Sequence, residues 1–188
     1  LWTADEMGKF ITSYLGPTFR KENIPAKIIF GENPLWAVYM PQLKMVSSKD
    51  FTDTILQNYP EAKDFNLIAA GHGYSLSPDI MPIKVDKEYL KTAILPFEMA
   101  EKADIPVWIT EISDVNPLDI SIHDGLKWAV TFHNYLTKAN VNAIIWWGGA
   151  MPTSNNESLI ILDKNRKDFL LSKRSVSYTH LRAHETPE

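Results

Sequence analysis

Ile105-Pro106-Val107-Trp108-Ile109-Thr110-Glu111-Ile112-Ser113 is the stretch on which the fold turns. A short apolar run follows a proline and ends on a threonine and a carboxylate. That is the pattern of a buried parallel strand carrying an acid to the open end of a sheet. Working outward, the same rhythm of strand and helix repeats on both sides.

Upstream, Thr3-Ala4-Asp5-Glu6 is a capping box, and Met7, Phe10, Ile11, Tyr14 and Leu15 recur at helical spacing. Gly16-Pro17 is expected to end that helix. A first strand is expected over Pro25 to Glu32, and a helix from Ser47 to Tyr59 with Phe51, Ile55 and Leu56 inward. A second strand over Phe65 to Ala70 runs into Gly71-His72-Gly73-Tyr74. After an aperiodic loop at 75–85, a helix from Asp86 to Ala103 would bury Leu90, Ala93, Ile94, Phe97 and Ala100, kinked by Pro96. Downstream of the opening stretch, a helix over Ser121 to Ala139 would bury Leu126, Ala129, Val130, His133 and Leu136. Val141 to Trp147 then reads as the fourth strand, closing on Gly148-Gly149. Ser158 to Asp163 is a short strand candidate, Lys164-Asn165 a turn, and Leu170 to Ser175 the start of a helix. Strands alternating with helices mean a parallel sheet, either doubly wound or part of a closed barrel.

Composition narrows the function classes. The 188 residues suffice for one core, and 45% hydrophobic with 22% charged residues is a globular balance. A net charge of −4 with no basic stripe argues against nucleic acid. No run approaches the roughly 18 apolar residues of a membrane span. Without cysteine, disulfides and cysteine-ligated metal are excluded. The six tryptophans are rich for this length and suit both cores and sugar platforms.

In a parallel α/β architecture, sites gather at the carboxyl ends of the strands. Those ends carry Glu32, His72 with Tyr74, Glu111, and Trp146-Trp147. Gly31, Gly71 and Gly73 make no dinucleotide fingerprint. An acidic and aromatic rim suits glycoside cleavage, in which two carboxyl groups flank the bond. A signalling receiver would instead need an acidic cluster at its first strand, and the sequence has none.

The motifs then resemble one family. Val107-Trp108-Ile109-Thr110-Glu111 is similar to the nucleophile strand of glycoside hydrolase family 30, in the clan of retaining (β/α)8 enzymes. Ile68 to Tyr74 resembles its sixth strand with a His-x-Tyr ending, and His133 to Trp147 its seventh helix and eighth strand. Asn156 to Ile160 and Leu171 to Arg174 resemble the run into its last helix. The resemblance covers residues 1–175 and is nearest the bacterial xylanase-like members. It implies a partial (β/α)8 TIM barrel, from about the fourth helix through the eighth strand. Strands one to four would lie upstream of Leu1.

Carried over residue by residue, the resemblance implies Glu111 as the catalytic nucleophile. His72 and Tyr74 would position it and line the sugar subsite. One of Trp146 and Trp147 would be the sugar platform, since strand alternation lets only one ring face inward; Trp147 is favoured. Glu32 would line the cleft. The implied activity is a retaining hydrolase of β-glycosidic bonds in polysaccharide, foremost an endo-β-1,4-xylanase of glucuronoarabinoxylan type. A β-1,6-galactanase, a glucosylceramidase-like enzyme and a non-catalytic sugar-binding half barrel are the alternatives. The family's acid/base lies in an Asn-Glu-Pro segment, which this sequence does not contain, so these residues alone are expected to be inactive. The loop from Gly148 to Ser154 has no arginine to read a glucuronate. No cofactor or metal is implied. The expected partner is a polysaccharide or oligosaccharide, and the expected parent is an extracellular or periplasmic monomer. Val176 to Thr186 resembles the in-frame translation of a transposase sequencing adapter, so 176–188 is expected to be a non-native, disordered tail. His180 and His184 fall in it and are set aside as metal ligands.

Overall fold

The computed structural model describes residues 2–37, 46–74, 94–163, 165 and 167–180. Four strands, β1 (Ile28–Phe30), β2 (Leu67–His72), β3 (Val107–Ile112) and β4 (Ala143–Trp146), form one sheet in that order. Every pairing in it is parallel, as the alternation of strands and helices requires. Ile28, Phe30, Leu67, Ala69, Val107 and Ile109 turn one face of the sheet into the core. Ile29, Ile145 and Trp147 lie exposed.

The first helix opens on the expected capping box, with Thr3 Oγ1 accepting from the Glu6 amide and Glu6 Oε2 accepting from the Thr3 amide. It does not end at Gly16-Pro17. Helix α1 (Ala4–Phe10) passes through a π turn (Ile11–Leu15) into α2 (Gly16–Lys21). The wider turn lets Pro17, which has no N–H to give, sit in the first turn of the next α segment. A Cβ on Gly16 would lie 2.5 Å from the Phe65 ring, so this helix can approach the chain before β2 only with glycine there.

Helix α3 (Ser48–Asn58) starts on its Ser47 cap and buries Phe51, Ile55 and Leu56 as expected. Pro96 does not kink a helix: residues 94–97 are not helical and α4 (Glu98–Lys102) begins after it, consistent with the bias of a residue before proline away from helix. Leu90, Ala93 and the loop at 75–85 lie outside the described residues, as does Lys164 of the expected turn.

Helix α5 (Ile122–Lys138) buries a different face from the expected one. Trp128, Phe132 and Tyr135 are buried, while Leu126 and Val130 are 56% and 60% exposed and His133 is exposed too. Two apolar stripes compete on this helix. The aromatic one wins because each ring removes more apolar area from water than a leucine or valine.

A second sheet follows. Strand β5 (Gly148–Met151), expected as a loop, pairs parallel with β6 (Ser158–Asp163), and β7 (Asp168–Leu171) runs antiparallel to β6, so that the helix expected from Leu170 starts at Lys173. Helix α6 (Lys173–His180) then packs on α5 at Gly125, where an added Cβ would meet that of Lys173 at 2.9 Å. The expectation of disorder from Val176 is therefore corrected over Val176–His180. Ser177 Oγ donates to the Gly125 carbonyl at 2.7 Å, and the Tyr178 hydroxyl donates to the Ile144 carbonyl at 2.7 Å. Once Arg174 has docked the first turn, an aromatic four residues later falls on the same face. Residues 181–188 lie outside the described residues.

Candidate active site

Strand parity alone would put Glu111 on the same face as Val107 and Ile109, in the core. It does not go there. Gly71 stands opposite Ile109 but His72 stands opposite Glu111, so β3 carries one extra residue in a β-bulge. The bulge returns Ile112 to the core and leaves the Glu111 side chain 21% exposed beside that of His72, also 21% exposed. Thus a backbone irregularity, not the strand pattern, aims the acid at the open end of the sheet.

Two side chains from the end of β2 converge on one oxygen of that carboxylate. The Tyr74 hydroxyl donates to Glu111 Oε1 in a short hydrogen bond, and His72 Nδ1 stands 3.7 Å from the same oxygen. The His72 and Tyr74 rings meet edge to face with centroids 5.8 Å apart. Burial pushes the Tyr74 phenol up, its bond to Glu111 adds to that, and the Ser113 hydroxyl opposes both. Tyr74 is therefore a protonated donor at any ordinary pH.

The turn bearing both residues is held by several neighbours. Gly71 abuts Ser48, where an added Cβ would lie 2.5 Å from the serine side chain. The His72 amide donates to the Asn33 carbonyl at 3.0 Å. The Gly73 amide donates to the Glu111 carbonyl at 2.8 Å, and its carbonyl accepts from the buried Tyr135 hydroxyl at 3.1 Å. A Cβ on Gly73 would sit 2.7 Å from Ile112. Neither the bulge nor the part of Tyr135 was legible in the sequence; the two glycines flanking His72 were the only signal of a close backbone approach.

The two tryptophans separate. Trp146 is 5% exposed, stacks edge to face on Trp128 and donates its indole N–H to the Glu157 carbonyl at 2.8 Å. Its place among the candidate substrate-binding residues is corrected: its ring is enclosed in the core, with no face for a sugar. Trp147 is 57% exposed, and its amide donates to the Ile112 carbonyl at 2.9 Å, beside Glu111. Glu32 is exposed just beyond β1 and does not join the Glu111 cluster among the described residues.

Asp114 is enclosed completely. Its Oδ1 accepts from the Asn116 main chain and side chain at 3.0 and 2.6 Å, and Oδ2 lies 3.1 Å from Lys127 Nζ. Asn156, also buried, donates to Oδ2 at 3.4 Å and accepts from the Asp119 amide at 2.6 Å. These contacts tie the loop after β3 to the loop before β6. Burial alone would raise the Asp114 carboxyl, but the Asn116 amide and the Lys127 ammonium outweigh it and hold it below the usual range. The folded pKa thus lies below the unfolded value of about 3.9. The stability it contributes is present above that value and is lost as pH falls through the folded pKa. Urea midpoints measured from pH 7 to pH 3 are expected to fall more for the native chain than for Asp114→Asn, and equal falls would refute the assignment.

No family model matches this sequence, and no curated protein is detectably similar to it. Solved structures are another matter. The catalytic domain of GH30 xylanase C from Talaromyces cellulolyticus superposes with a TM-score of 0.68 at 15% identity, over 100% of this chain and 37% of that one. The glycoside hydrolase family 30 subfamily 8 xylanase Xyn30A from Clostridium acetobutylicum gives 0.56 at 20% identity, over 94% of this chain and 35% of that one. The fold is that of the family 30 glycoside hydrolases. A conserved exported protein from Bacteroides fragilis superposes with a TM-score of 0.64 at 16% identity, over 98% of this chain and 41% of that one. The chain spans roughly two fifths of these structures, so its parallel sheet with helices is part of an α/β barrel. Among the described residues no helix is long and apolar enough to cross a membrane.

Proposed function

We propose that the chain belongs to a retaining β-glycosidase in which Glu111 is the nucleophile, with β-1,4-xylan as the leading substrate. One observation carries this: Tyr74 and His72, from the neighbouring strand end, both address Oε1 of the carboxylate that the β3 bulge turns outward. Among the described residues both contacts fall on Oε1, which leaves Oε2 for the anomeric carbon. The Tyr74 hydrogen bond holds the carboxylate still and is broken or weakened as negative charge moves into the glycosyl ester bond. Trp147, exposed at the end of β4, offers a flat face for the sugar ring. Its family-30 fold and xylanase neighbours support xylan, and the exported neighbour supports action outside the cytoplasm.

The second reading, a sugar-binding arc without turnover, draws on the lack of an Asn-Glu-Pro segment in this sequence. One experiment separates the two. A 2-deoxy-2-fluoro-β-xylobioside with a dinitrophenolate leaving group needs no acid to protonate the departing oxygen. Glu111 Oε2 attacks the anomeric carbon, the bond to dinitrophenolate breaks, and the phenolate leaves with the electron pair. The fluorine slows hydrolysis of the resulting ester, which persists on the protein. Mass spectrometry is expected to find one fluoroxylobiosyl group on the peptide containing Glu111. Reversible binding with no covalent label would favour the non-catalytic reading.

A further inference from the structure

We propose that Tyr135 is a positioning residue for the Glu111 carboxylate, acting through the backbone of Gly73. This rests on the catalytic reading of Glu111 and deepens it. Tyr135 lies on α5 and is fully buried. Its ring packs edge to face against Trp36, with centroids 5.3 Å apart. A phenol so enclosed needs an acceptor, and its hydroxyl donates to the Gly73 carbonyl at 3.1 Å.

Gly73 is the residue between His72 and Tyr74, the two groups that address Glu111 Oε1. Its amide is already committed to the Glu111 carbonyl at 2.8 Å. The peptide on either side of Gly73 is therefore gripped at both ends, by the backbone of β3 and by the helix layer. With no side chain of its own to pack, glycine is the residue whose torsions most need such a grip. Removing the Tyr135 hydroxyl frees one end and strands a buried carbonyl. The turn can then rotate, and His72 and Tyr74 lose their common aim at one oxygen. Tyr135 touches no substrate in this scheme; it acts only through the turn.

Tyr135→Phe keeps the ring and removes the hydroxyl. Two readouts are taken: the side-chain resonances of His72 with the amide resonance of Gly73, and the rate at which the fluoroxylobioside labels Glu111. Both are compared with Tyr74→Phe and with the double variant. The expected result is shifted His72 and Gly73 resonances, roughly tenfold slower labelling, and a double variant no slower than Tyr74→Phe alone. Unmoved His72 resonances, or rate losses that multiply in the double variant, would overturn the proposal. If the native chain takes no label while the resonances still shift, the catalytic reading fails and the positioning of the turn stands. Should Tyr135→Phe not fold, a ring-fluorinated tyrosine at position 135 alters only the donor strength of the hydroxyl. The same resonances are expected to move, and their constancy would refute the coupling.

Discussion

Glu111→Gln is expected to lower glycoside hydrolysis by the full-length protein at least about 10³-fold, or about 4 kcal/mol of transition-state stabilisation. The amide has the shape of the carboxylate and still accepts the Tyr74 hydrogen bond, so the site geometry survives. What it lacks is a negative oxygen to form the ester with the anomeric carbon. Because the Glu111 side chain is partly exposed and ends beside His72 and Tyr74 rather than in the core, thermal stability should change little. Lost rate with retained midpoint is therefore the signature of a reacting group. Glu111→Gly sharpens the test: added azide fills the vacated space and yields a glycosyl azide of inverted configuration. Unchanged hydrolysis by the glutamine variant would remove Glu111 from the mechanism.

Arg174→Met is expected to destabilise the chain by about 3–5 kcal/mol, because it strands a buried carboxylate. Arg174 is wholly buried; its Nη1 lies 2.5 Å from Asp124 Oδ2, and Nη2 donates to the Ser158 carbonyl at 3.2 Å. Its guanidinium carbon also stands 6.0 Å over the Trp146 ring. Burial pushes the Asp124 carboxyl up and the guanidinium opposes it; without the arginine the largest opposing influence is gone. The double variant Asp124→Leu/Arg174→Met separates two causes. If the stranded charge is what matters, the double variant regains most of the loss, since apolar replacements of buried pairs are often neutral or better. If docking of α6 depends on the fork of hydrogen bonds itself, the double variant stays as weak as the single. Urea unfolding followed by tryptophan fluorescence reads both.

The parallel sheet was legible because its strands are short apolar runs set between helices and punctuated by proline and glycine. The acid at the tip of β3 and the His-x-Tyr ending of β2 were legible for the same reason: chemistry stands where a strand stops. The direction of Glu111 was not. By parity it follows Val107 and Ile109 into the core, and only the bulge, a property of the pairing with β2, turns it outward. The buried face of α5 was misread because Leu126, Val130 and Leu136 form as good a stripe as Trp128, Phe132 and Tyr135, and the choice is made by what packs against the helix. Strand β7 has no buried residue and hence no pattern to find; it is held by its ladder with β6. The burial of Arg174 was not legible either, because its partner Asp124 lies 50 residues earlier in the chain.

The buried Asp114–Asn156 junction makes a single wall of two loops that are 42 residues apart in the chain. Changes to either loop that disturb the buried pair must therefore be matched in the other. A loop grafted alone after β3, or alone before β6, would bring its new surface residues together with half of a broken joint, so a graft of both segments as one cassette is expected to keep the fold where a graft of either alone does not.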